Sequence, residues 1–77
     1  MQVARQEVAT AKLSRHTMAT LSGRERQVIT HVLEGMTMPE VARQLGVSPT
    51  TAVTYRYRAF RHLGIRTHRE LLGLLSR

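Results

Sequence analysis

The 77-residue chain has no cysteine, no tryptophan and no aspartate, and only three aromatic residues. Without cysteine there can be no disulfide, no thiolate metal site and no cysteine nucleophile. With so few rings, aliphatic side chains must fill whatever core forms. There is no pairing of His and Glu at metal-ligand spacing on one helix and no glycine-rich phosphate loop, so neither an enzyme nor a metal or cofactor is expected. His16, His31, His62 and His68 are scattered and read as ordinary surface or half-buried side chains. The longest apolar run, LLGLL, is far below the ~18 residues of a membrane span, and nothing resembles a signal peptide. The default expectation is a soluble cytoplasmic protein, without a membrane. A chain this short forms one domain that buries roughly 60% of its unfolded surface, so its intrinsic stability is modest.

Basic residues are what the chain has in excess. Twelve Lys and Arg face five acids, a formal net charge of +7. All but one of the twelve are arginine, whose planar fork donates two parallel hydrogen bonds to phosphate or guanine. The excess favours a polyanionic partner, because binding releases the counterions condensed on it. A GC-rich genome would also enrich arginine, so charge alone does not decide.

Residues 1–20 differ from the rest: they are rich in Ala, Thr and Gln and contain neither Gly nor Pro. Their weak apolar spacing (Val3, Val8, Ala11) is compatible with a helix near Val3–Leu13, and the segment reads as a tail or linker of the kind that joins a domain to a longer protein. Residues 21–77 read as the domain. There, Ser22 with Glu25, Thr37 with Glu40 and Thr67 with Glu70 have the reciprocal spacing of capping boxes, which satisfy the free amides of a helix start. Ser48 followed by Pro49 marks a further start, since proline is tolerated where the first amides lack intrahelical partners. Gly35, Gly46 and Gly64 are placed as left-handed stops. Val28, Ile29, Val32 and Leu33 share one helical face, and so do Val41, Ala42 and Leu45. The expected fold is all-α, a four-helix domain with a central helix-turn-helix.

Only GVS separates the second of these helices from the third. So short a connection suits two steeply crossing helices, with Gly46 at the bend and Val47 plugging the angle. This is the arrangement that presents its second helix to the DNA major groove. At 100° per residue, Ala59 and Leu63 fall within about 20° of Ala52 and define the inner side of helix 49–63. The outer side carries Thr50, Thr54, Tyr57, Arg58 and Arg61, with Val53 on its flank, and the helix contains no acid. Phe60 closes the core edge, while Arg56 packs its methylenes and sends its guanidinium to the rim. Fifteen residues make a helix of ~22 Å, and its first half fits a groove ~12 Å wide.

At this point LSGRERQVITHVLEGMTMPEVARQLGVSPTTAVTYRYRAFRHLGI, with the REL that follows, resembles the LuxR-type (LuxR/FixJ) DNA-binding domain of bacterial transcription regulators. The likeness runs from Leu21 to Leu72. It implies a four-helix helix-turn-helix domain without a wing, binding double-stranded DNA as a homodimer at two related half-sites. RNA polymerase is a further partner that this role admits. The chain departs from the family pattern on helix 49–63. Where a lysine commonly faces bases it has Val53, which can meet a thymine methyl. Four residues on it has Tyr57, Tyr55 stands at a frequent histidine, and His62 stands at the lysine of a KLG pattern. The expected base-facing residues are therefore Val53, Thr54 and Tyr57. The expected phosphate contacts are Thr50, Thr51, Arg58 and Arg61, with Arg24 and Arg26 as weaker candidates.

Leu71, Leu72, Leu74 and Leu75 span about 160° of the last helix, wider than one core contact needs, and are expected to form a dimer seam. Two other readings remain at this level. A promoter-binding module like region four of sigma factors opens with a similar RERxV pattern but has no need of a dimerising helix. A basic membrane-surface or protein-interaction module would place cations and leucines on one helix, whereas here they lie on different ones.

Overall fold

The computed structural model describes residues 15–75, with side chains from Thr17. Among the described residues there are five helices: α1 (Arg15–Ala19), α2 (Gly23–Leu33), α3 (Met38–Leu45), α4 (Pro49–Leu63) and α5 (His68–Leu75). There is no strand among the described residues. The four helices read from the sequence are all present. The single turn α1 is additional and lies inside the stretch read as a tail. Thr20 closes it, donating its backbone amide and its hydroxyl to the Thr17 carbonyl at 3.2 and 2.6 Å, and Met18 packs against the core. The suggested helix near Val3–Leu13 lies outside the described residues.

The helix boundaries follow from local chemistry. Ser22 Oγ accepts from the Glu25 amide and Glu25 Oε1 accepts from the Ser22 amide, both at 3.2 Å. Thr37 and Glu40 form the same reciprocal pair, with the Thr37 amide donating at 2.9 Å. The bonds from the Thr37 amide and hydroxyl hold the Glu40 carboxyl below the usual glutamate range. At α5 the arrangement is modified. Thr67 Oγ1 accepts from the Glu70 amide at 3.1 Å, but the Glu70 carboxylate reaches back to the amide of Arg66, not that of Thr67. Helices α3 and α4 end on Gly46 and Gly64, at φ 70 and 72, where a side chain would be strained. Each glycine is followed by an apolar residue folded back on the helix end: the Val47 amide donates to Ala42 O, and the Ile65 amide to Phe60 O.

The core takes one stripe from each helix. Val28, Ile29, Val41, Ala52, Ala59 and Leu71 have no more than 0% exposure, and Leu21, Val32, Ala42, Leu45, Phe60 and Ile65 surround them. Helix α4 packs on both α2 and α3. Its inner side offers only alanine methyls at positions 52 and 59, which lets its axis come close. Leu63, expected at the same face, is half-buried against the cluster.

Candidate nucleic-acid interface

Helix α4 starts at a compact cap. Ser48 Oγ accepts from the Thr51 amide at 3.1 Å and donates its proton to Thr51 Oγ1 at 3.0 Å. Thr51, expected as a phosphate contact, is therefore half-buried and has its hydroxyl engaged in the cap. The other sequence-derived residues do lie together on the outer side: Thr50, Val53, Thr54, Tyr57, Arg58 and Arg61 are all exposed. Val53 keeps 41% of its surface and Tyr57 61%, the two most water-exposed large apolar side chains of this helix. Burial inside the protein does not account for either.

Two guanidinium groups on this helix are positioned by rings one turn away. Arg61 lies 5.9 Å from the Tyr57 ring centroid and Arg56 lies 5.6 Å from that of Phe60, within cation–π range. Arg56 is half-buried, with its guanidinium at the ring that closes the core edge. Sequence reasoning left out two residues of the surface. An open groove of ≈ 750 Å³ runs along α4, and Arg56 and Arg66 line it together with Val53, Tyr57 and Arg61. Arg56 was assigned to the rim of the core, and Arg66 lies past the Gly64 stop, where helical periodicity carries no information. The last turn of α4 carries Arg61, a cation at the negative end of the helix dipole, beside His62, and its first turn has no acid.

The family model for bacterial regulatory proteins of the luxR family matches residues 19–75. The chain belongs to the luxR family. Among curated relatives of this luxR-family domain, the response regulator UvrY of Escherichia coli (strain K12) is 41% identical over 59 residues, 77% of this chain and 27% of the relative. The transcriptional regulatory protein UhpA of the same strain is 37% identical over 60 residues (78% and 31%). The transcriptional regulatory protein TdiR of Thauera aromatica is 33% identical over 60 residues (78% and 26%). The chain thus spans between a quarter and a third of the length of the curated relatives it matches. No solved structure matches it significantly.

Behind its exposed helix, the luxR-family domain is braced by two side-chain contacts that sequence spacing could not show. Arg24 Nη1 donates to the carbonyl of Leu45, the last residue of α3, at 3.1 Å. This answers a free carbonyl at a helix end with a cation, while Arg24 itself stays exposed. Glu25, 5% exposed, accepts from His62 Nδ1 at 2.8 Å in addition to its capping bond.

The leucine cluster divides. Leu71 is fully buried and is a core residue, so it is removed from the expected seam. The rotation of α5 about its own axis points this side chain inward, and burying it fully stabilises the fold by about 1.5–3 kcal/mol. Leu72 is 46% exposed, whereas Leu74 and Leu75 are half-buried at the edge of the core. A Cβ built on Gly73 meets nothing within 4 Å. Among the described residues no group of three His, Cys, Asp or Glu could hold a metal ion. No helix among them is long and apolar enough to cross a membrane.

Proposed function

We propose that this luxR-family domain binds double-stranded DNA sequence-specifically as a homodimer, with α4 in the major groove, as the DNA-reading part of a bacterial transcription regulator. Residues 21–77 form that unit, and residues 1–20 serve as tail or linker. The observation that carries the reading is the outer side of α4. It is acid-free, exposed and arginine-flanked, and it stands on a helix fixed from behind by a three-residue turn. Val53, Thr54 and Tyr57 face bases, while Thr50, Arg58 and Arg61 contact phosphate. Thr51, whose hydroxyl accepts from Ser48 and keeps its own proton to donate, contacts the same strand. Such contacts to phosphate set register, and contacts to base edges set choice. Leu72, Leu74 and Leu75 supply the seam between two copies. The relatives, a response regulator and transcriptional regulatory proteins, favour a regulator over an enzyme. That role places the protein in the cytoplasm, with RNA polymerase as a further partner. The leucine-bearing α5 favours this reading over a module of the sigma region-four kind.

Selection of bound sites from random duplexes tests the proposal. The expected result is an enriched two-fold motif with half-sites about one helical turn, 10–10.5 base pairs, apart. Failure to enrich any motif refutes sequence-specific binding, and a single unpaired site refutes the dimer.

A further inference from the structure

We infer that the tip of α4 selects A·T pairs through the C5-methyl group of thymine, and does not read guanine, at the base pairs facing Val53 and Thr54. The inference rests on the DNA-binding reading above and specifies the chemistry of its site. In the major groove guanine presents two acceptors, N7 and O6, and is recognised by a donor. Thymine presents O4 and a methyl group, while its partner adenine presents N7 and the N6 amino donor.

The tip offers no donor. Val53 has neither donor nor acceptor, and its isopropyl group is among the most exposed apolar surfaces of the fold. Thr54 is exposed, but its hydroxyl donates to the Thr50 carbonyl at 3.1 Å. A threonine hydroxyl has one proton. With that proton turned back on its own helix, Thr54 shows the groove a methyl group and an oxygen that can only accept. One A·T pair answers both features, since the thymine methyl meets the side-chain methyl and the adenine N6 amino group donates to the oxygen. A G·C pair has no methyl, and its guanine acceptors find no donor here; its cytosine N4 amino group can donate to the Thr54 oxygen as adenine does, so the methyl contact makes the choice. The nearest arginine in sequence, Arg56, has its guanidinium over Phe60. The one hydroxyl donor left on the base-facing set belongs to Tyr57, a full turn further along.

The test uses the full chain and the duplex it selects. Each thymine is replaced in turn by deoxyuridine, which removes the methyl group and leaves the pairing unchanged. Loss of a contacted methyl is expected to weaken binding about four-fold, the worth of one buried methyl-sized group, at one or two positions of each half-site. Val53→Ala should abolish the uracil penalty at one of them, and this coupling identifies the base pair that Val53 faces. At the other, Thr54→Val should keep the penalty and Thr54→Ser should lose it, because the methyl group and not the hydroxyl makes the contact. Val53→Lys should move the selected base toward guanine. Both positions are exposed, and far-UV circular dichroism checks that each variant is folded. Equal affinity for thymine and uracil duplexes overturns the inference. So does a Thr54→Ser variant that keeps the penalty while Thr54→Val loses it. A chain that enriches no duplex overturns the DNA-binding reading itself, and the inference with it.

Discussion

His62 Nδ1 lies 2.8 Å from Glu25 Oε1, bonding the last turn of α4 to the first turn of α2 across 37 positions of sequence. The same carboxylate oxygen also accepts from the Ser22 amide, so one buried side chain both starts α2 and ties down the exposed helix. Glu25→Ala removes the reciprocal half of a cap and leaves the Ser22 amide and His62 Nδ1 without that acceptor. It should lower stability by about 0.5–2 kcal/mol. His62, whose side chain is half exposed, should cost less than about 1 kcal/mol when replaced by Ala. Urea denaturation checks both, and a larger loss for His62→Ala than for Glu25→Ala would contradict the assignment.

The arginines should separate by task. Arg58→Ala and Arg61→Ala are expected to weaken binding to every duplex and to reduce the salt slope by about 1 each. Arg24→Ala, whose guanidinium is spent on Leu45 O, should leave that slope unchanged and lower stability by about 1 kcal/mol. Titrations at several salt concentrations, paired with denaturation curves, distinguish the two behaviours.

The leucines should separate in the same way. Leu71→Ala opens a cavity in the core and should cost about 2–5 kcal/mol. Leu72→Glu should leave the monomer folded and abolish binding to paired half-sites. Sedimentation that finds the same species before and after Leu72→Glu would remove Leu72 from the seam.

Glu40 carries the pH prediction. Its carboxyl titrates below the usual glutamate value in the folded chain because the Thr37 amide and hydroxyl bond its charged form. A depressed folded value contributes stability that is fully present above the unfolded glutamate pKa and is lost as pH falls through the folded one. Glu40→Gln, which keeps an acceptor for Thr37 but cannot titrate, should show a shallower fall in melting temperature on acidification below that range. Identical acid profiles for the two chains would exclude Glu40 as a contributor.

What could be read from the sequence was whatever is decided within a few residues. Caps at Ser22, Thr37, Ser48 and Thr67 and stops at Gly35, Gly46 and Gly64 depend on neighbours three or four positions away, and the structure has all of them. The outer side of α4 follows from the 3.6-residue period alone. What could not be read depends on how finished helices rotate and dock. Leu71 and Leu72 are adjacent and chemically identical, and only the seating of α5 buries one and exposes the other. The partners of Arg24 and His62 are 21 and 37 positions away. Helix α1 has weak local signals and is held by Met18 on a core assembled by the other helices.

The two sides of α4 have no residue in common. Ala52 and Ala59, both at 0% exposure, seat the helix on its neighbours, and any larger side chain there must push it outward. Val53 and Tyr57 stand outside that packing. On the DNA-binding reading proposed above, substitutions on the outer side can therefore change which duplex is preferred at little cost in stability, while the inner side tolerates almost none. A domain divided in this way can diverge quickly in specificity along a lineage while its scaffold stays nearly constant. The exposed Val53, which no internal contact constrains to one size or polarity, is the kind of position that such a division leaves open to change.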